Sequence, residues 1–126
     1  MGDGWETKRS RVPNHQDWVV IKLGAPTSQL VRAVVDTFHY KGNYPKFCLL
    51  EATSMPVEPK DWKDPNIKWC TILDKKPLTA HNAHFFFLEN PPSSGPFTHI
   101  RFTIFPDGGV SRLRVFGIRS NSVSHL

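Results

Sequence analysis

Four side chains that could hold an acidic ligand lie within residues 98–117, near the C-terminal end of the chain. They are one imidazole and three guanidinium groups, carried by His99, Arg101, Arg112 and Arg114. Arginine binds carboxylates through paired N–H···O bonds, and histidine is a common general acid or base. If these side chains share one surface, they could therefore grip a small organic acid and move a proton.

The alternation of apolar and polar residues in this segment predicts two strands joined by a tight turn at residues 106–109, Pro-Asp-Gly-Gly. Proline ends the first strand, and the two glycines can adopt the positive φ angles that a tight reversal requires. With that turn, Phe105 would face Val110 and Arg101 would face Arg114. The four basic side chains would then share the face opposite to the core.

The predicted basic face has two interpretations. Two arginines directly opposite each other destabilise a strand pair unless a negative group lies between them. That group could be a bound carboxylate, or it could be an acidic side chain of the protein on an ordinary solvated sheet face. The residues alone leave both interpretations open.

Length and composition restrict the class of protein. A chain of 126 residues predicts one domain, and its 11 prolines and 8 glycines are typical of a sheet protein with many turns. We expect a soluble, non-secreted protein without membrane contact, since the sequence shows no long apolar run and no signal peptide. The net charge of +5 comes from dispersed residues without a nucleic-acid motif, so no nucleic-acid partner is expected.

Further strands are predicted along the chain from apolar runs and alternation, at residues 17–23, 29–39, 47–52, 68–73 and 83–88. Gly24-Ala25-Pro26 would end the first of these. The second resembles a short helix, but its β-branched and aromatic residues favour a strand. Residues 1–14 are predicted to form a loop, and residues 55–66 a Pro- and Lys-rich excursion. About seven strands without a helix predict an all-β protein, a β-sandwich.

Candidate reactive residues are otherwise few. Cys48 and Cys70 lie in apolar surroundings without metal-type spacing, which predicts buried, reduced thiols. No metal or cofactor is predicted. The remaining candidates are polar residues at predicted strand ends, each with an ordinary structural role as the alternative; Asp107, for example, is most simply a turn residue.

Four segments resemble, in order, successive blocks of an allantoicase repeat. They are M-G-D-G-W-E-T-K-R-S-R, D-W-V-V-I-K-L-G-A-P, V-D-T-F-H-Y-K-G-N-Y-P and T-H-I-R-F-T-I-F-P-D-G-G-V-S-R-L-R-V-F-G. The chain is identified as a member of this family and is most similar to the second of the two repeats that allantoicases carry. Residues 1–117 would form the repeat, without the strand that the family places before it, and residues 118–126 would form a C-terminal tail.

The resemblance implies a jelly-roll β-sandwich of galactose-binding-like type. It also implies hydrolysis of allantoate to ureidoglycolate and urea in purine breakdown, and the carboxylate of allantoate suits the predicted arginine face. The chemistry needs a general acid and a base, for which the candidates are Glu6, Asp36, His39 and His99. The candidates for substrate binding are Arg9, Asn43, Arg101, Asp107, Arg112 and Arg114.

Partners and location follow from the same resemblance. Because the family pairs two repeats, we expect a homo-oligomer or pairing with a second allantoicase repeat. The alternative is a catalytically inactive single-repeat module or fragment that binds a small anionic or sugar-like ligand. The tripeptide Ser124-His125-Leu126 resembles an S-K-L peroxisomal address, so a peroxisomal protein is expected if this end is free, and a cytoplasmic one otherwise.

Overall fold

The fold consists of antiparallel strands, in a computed structural model that describes residues 5–6, 16–91 and 96–120. The strands are β1 (Trp5–Glu6), β2 (Asp17–Asp36), β3 (Phe47–Thr53), β4 (Cys70–Pro77), β5 (Ala83–Phe87), β6 (Phe97–Phe105), β7 (Gly109–Val110) and β8 (Arg112–Arg119). The described residues include no helix, and so none long and apolar enough to cross a membrane.

The 20-residue strand β2 organises the molecule because its two parts have different partners. Its first part pairs with β6, which continues through β3 to β4. Its second part pairs with β8 on one side and with β5 on the other. We call the first set of strands layer I and the second set layer II.

The continuity of β2 corrects the prediction of two separate strands. Gly24-Ala25-Pro26 does not end the strand; it lies where the pairing with β6 shifts register between Lys22 and Thr27. Proline is tolerated there because no regular ladder requires its missing N–H, and its carbonyl accepts a bond from Ser120 N at 2.8 Å. The pairing with β8 shifts register again between Leu30 and Arg32, and Val31 at this shift is exposed.

Both layers contribute to one hydrophobic core. Ala33 and Val35 of layer II and Leu50, Phe102 and Ile104 of layer I belong to a single cluster of buried side chains. They recur at every second residue of their strands, as expected for a sheet with one buried face. Burial of each large apolar side chain contributes about 1.5–3 kcal/mol, so this cluster is the main source of stability.

The predicted hairpin between β6 and β8 is wrong. Strand β6 pairs with β2 and β3, strand β8 pairs with β2, and the short strand β7 between them pairs with β1. The chain therefore crosses from layer I to layer II after Phe105, through a cis peptide bond to Pro106, and does not reverse on itself. Each of the two strands pairs with a different part of β2, and in this way both add side chains to the common core.

Other predicted elements agree more closely. Strands β3 and β5 lie within one residue of their predicted bounds, whereas β4 lies further along the chain than predicted. The predicted N-terminal loop contains the two-residue strand β1, and the predicted tail begins inside β8. The prediction of an all-β, jelly-roll-like sandwich in a single domain is confirmed.

Candidate functional site

One end of the sandwich brings together three separate parts of the chain, and we call it the strand-end cluster. Its parts are the C-terminal end of β2 with residues 37–45, the 106–111 connection with Arg112 directly after it, and β1. Ser111 donates to the Asp36 carbonyl from its backbone N at 2.8 Å and from Oγ at 2.9 Å. Gly109 N donates to the Asn43 carbonyl at 2.9 Å and pairs in register with Glu6.

Asp36 is the best-fixed acidic group of this cluster. It is only 9% exposed, and its Oδ1 accepts hydrogen bonds from Phe38 N at 2.9 Å and Ser111 Oγ at 3.3 Å. Its direct neighbour across the strand pair is Arg112, at the start of β8. A carboxylate oriented by two donors beside a guanidinium group can bind an N–H group or accept a proton from water.

Two glycines allow the connection to lie against residues 40–45. Gly108 has a φ of 124°, and a Cβ there would come within 2.6 Å of the Tyr44 carbonyl carbon. A Cβ on Gly109 would come within 2.1 Å of the Tyr40 ring. The glycines predicted to form a tight hairpin turn instead permit a close approach between two loops.

Asp107 and His39 complete the described residues of the strand-end cluster. Asp107 is buried, directly before the two glycines. His39 is exposed with a φ of 76°, and its backbone N donates to Nδ1 of His81 at 2.8 Å. The His39 and His81 rings lie 5.9 Å apart between centroids, so His81 is a rim residue that the sequence-based candidates did not include.

Arg101 lies outside this cluster, on the outer face of layer I. Its Nε donates to Glu51 Oε1 at 2.9 Å, and its guanidinium carbon lies 4.5 Å from the ring centroid of Trp69 and 5.7 Å from that of Trp18. The acidic partner is thus a protein side chain, which was one of the two interpretations that the sequence left open.

His99 lies on the same outer face, beneath the excursion that joins β3 to β4. Its Nδ1 is 2.7 Å from Thr98 Oγ1, its Nε2 is 3.1 Å from Glu58, and its ring packs on Trp62 at 4.6 Å. Both ring nitrogens therefore have protein partners. A cleft of about 710 Å³ lies beside His99, and Lys22, Glu58 and His99 are among the residues that line it. Sequence reasoning missed Lys22 and Glu58, since neither has a motif or spacing that links it to His99.

The described candidate residues therefore do not form a single site. Six meet at the strand-end cluster, Glu6 through its backbone pairing: Glu6, Asp36, His39, Asn43, Asp107 and Arg112. Arg114 follows one step along β8, opposite Val34, while His99 and Arg101 lie on layer I. Arg9 lies outside the described residues. The roles of all ten stay predictions.

The described part of the chain contains neither a cluster of potential metal ligands nor an activated thiol. No three His, Cys, Asp or Glu side chains converge there as metal ligands would. Both cysteines are free; Cys70 is half-buried, and burial raises the pKa of the Cys48 thiol from 9.0 to about 12. A thiol with so high a pKa is a poor nucleophile at neutral pH.

Comparison with known proteins finds one family. Residues 1–120 match the family model described as allantoicase repeat. The chain is 49% identical over 121 residues to a probable allantoicase of Schizosaccharomyces pombe, covering 95% of this chain and 34% of that protein. It is 47% identical over 115 residues to the allantoicase of Dictyostelium discoideum, covering 91% of this chain and 31% of that protein.

Solved structures agree with the sequence comparison. The crystal structure of allantoicase from Saccharomyces cerevisiae matches with a TM-score of 0.73 at 38% identity, covering 90% of this chain and 31% of that one. The chain thus spans about a third of the length of the relatives it matches. With the family model covering nearly the whole sequence, the chain belongs to the allantoicase repeat family.

Proposed function

We propose that the chain takes part in the hydrolysis of allantoate to ureidoglycolate and urea, as an allantoicase-type hydrolase of purine breakdown. The names of its relatives support this activity. One structural observation carries the choice of site: the ends of β1, β2 and the 106–111 connection, which come from three family-like blocks, are joined by hydrogen bonds at the strand-end cluster.

The reaction breaks one C–N bond at the central carbon of allantoate and forms a C–O bond to water. A base takes a proton from the water, and an acid gives a proton to the departing urea; alternatively, an imine forms first and is then hydrated. Asp36, buried and oriented, is suited to the base role, while Glu6 and His39 are candidates for the acid.

The substrate carboxylate needs a cation that is free to bind it. Arg112 is exposed beside Asp36, and no ion pair joins it to a carboxylate in the part of the chain that the structure describes. Arg101 is already held by Glu51, so we assign the carboxylate to Arg112, with Arg114 one step away. Asn43 and Asp107 are candidates for the ureido groups.

Pairing and location belong to the same proposal. We propose that the active form contains a second allantoicase repeat or a second copy of this chain, since the relatives are about three times as long. A peroxisomal location is proposed from Ser124-His125-Leu126, which lies outside the described residues.

Urea release from allantoate by the purified chain tests the activity. We expect Asp36→Asn to lower kcat by about 100-fold or more, as loss of a general base does, and Arg112→Gln to raise KM more than it lowers kcat. Arg119→Gln, on the same strand but outside the cluster, is the matched control and should match the unmodified chain.

Two outcomes would contradict the proposal. One is a folded chain that releases no urea at any concentration, either alone or mixed with a separately produced second allantoicase repeat, which would favour the non-catalytic binding module. The other is full activity in Asp36→Asn, which would place the chemistry outside the strand-end cluster.

A further inference from the structure

The loop between β4 and β5, residues 78–82, lies against the end of β2 and so against the strand-end cluster. Thr37, which is fully buried, donates from its backbone N to the Asn82 carbonyl at 2.8 Å, and Asn82 N donates back to Thr37 Oγ1 at 3.1 Å. In the same loop, His81 N donates to the Tyr40 carbonyl at 3.1 Å. These bonds fix the backbone around His81, although the sequence-based candidates include no residue of this loop.

His39 and His81 share an uncommon backbone conformation. Their φ angles are 76° and 47°, and they are the two residues other than glycine with a positive φ in the part of the chain that the structure describes. This conformation is unfavourable for a residue with a Cβ, and such residues cluster at functional sites. The two histidines also contact each other, with their ring centroids 5.9 Å apart. The pair is therefore a candidate for a function at the rim of the strand-end cluster.

The hydrogen bond between the two residues determines the tautomer of His81. A backbone N–H can only donate, so Nδ1 of His81, at 2.8 Å from His39 N, must be the ring nitrogen without a proton. The neutral ring then carries its proton on Nε2. A protonated ring has a proton on both nitrogens and could not accept this bond. The contact therefore requires a neutral His81.

The His39 ring has no such restriction. Neither of its nitrogens has a hydrogen-bond partner among the described residues, so a change in its protonation state breaks no hydrogen bond there. Its backbone is held close to the buried carboxylate of the cluster, because Phe38 N, directly before it, donates to Asp36 Oδ1 at 2.9 Å. A general acid needs this combination of a fixed backbone and a ring that is free to exchange its proton.

We propose that His81 is a positioning residue, which holds His39 at the strand-end cluster so that the His39 ring can act as the general acid. The ring gives one proton to the leaving nitrogen as the C–N bond breaks. It regains a proton through solvent from Asp36, which has taken one from the attacking water. This inference rests on the proposed hydrolysis of allantoate and deepens it, since it selects His39 over Glu6 as the acid.

NMR of the purified chain tests the contact without any assay of activity. We expect Nδ1 of the neutral His81 ring to have the chemical shift of an unprotonated nitrogen and Nε2 that of a protonated one. The His39 amide should exchange with solvent slowly in the unmodified chain and roughly tenfold faster or more in His81→Gly, which removes the acceptor. Because glycine tolerates a positive φ, this variant adds no backbone strain.

Kinetics with a matched pair of variants tests the positioning. We expect His81→Gly to lower kcat by about 10- to 100-fold with little change in KM, as misplacement of a catalytic group does. His81→Asn should recover most of this loss, because the asparagine Oδ1 can accept the same bond and asparagine tolerates a positive φ. Val57→Gly, at a residue 78% exposed in the excursion between β3 and β4, is the control and should change neither kcat nor the exchange of the His39 amide.

Several results would overturn the proposal in variants that circular dichroism shows to be folded. They are a proton on Nδ1 of the neutral His81 ring, unchanged exchange of the His39 amide or unchanged kcat in His81→Gly, and a His81→Asn variant as slow as His81→Gly. Full activity in His39→Asn would also overturn it, since another group would then be the acid. A chain with the expected tautomer and a protected His39 amide that releases no urea, alone or with a second repeat, would support the positioning and contradict only the catalytic proposal.

Discussion

At the scale of single residues, the same residue type has different surroundings on the two layers. Arg101 is fixed by Glu51 and lies near two indole rings, whereas Arg112 and Arg114 form no ion pair within the described residues. Arginine in an alternating strand indicates only that a guanidinium group points away from the core. Its partner comes from elsewhere in the fold, which is why the sequence could not decide between a ligand and an acidic side chain.

Replacement of Arg101 should therefore affect stability more than substrate binding. We expect Arg101→Met to lower the free energy of unfolding by about 1–3 kcal/mol, because it leaves the mostly buried Glu51 carboxylate without its partner. Arg114→Met, at an exposed position, should change stability by less than about 0.5 kcal/mol. Urea denaturation measures both values. A sharp rise in KM with unchanged stability in Arg101→Met would instead indicate that Arg101 binds the substrate.

At the scale of elements, local pattern predicted which segments are strands but not how they pair. The alternation in β6 and β8 is correct, yet their shared partner is β2, whose sequence lies far away in the chain. Tight-turn residues between two alternating segments favour a hairpin, but here the glycines serve close packing against Tyr40 and Tyr44. Pairing depends on long-range contacts that a short sequence window does not contain.

The packing of Gly109 against Tyr40 can be tested with a double-mutant cycle. Gly109→Ala should destabilise the chain by about 1–3 kcal/mol, because its new methyl group would overlap the Tyr40 ring. Tyr40→Ala should remove part of that penalty, so the effects of the two substitutions should not add. Gly24→Ala is the control, since no atom lies within 4 Å of the position of its Cβ. Additive effects would show that the two loops do not meet this way.

At the scale of the whole molecule, the fold class could be predicted from the sequence, whereas the places where the candidate residues meet could not. Turn-rich composition and alternating strands predict a sandwich, and the family-like blocks contain the six candidates that meet at the strand-end cluster. The positions of His99 and Arg101 were not within reach, because their partners Glu58 and Glu51 are determined by packing across layer I. The exposure of Phe85 and Phe87 was not predictable either, since the apolar run of β5 is typical of a buried strand.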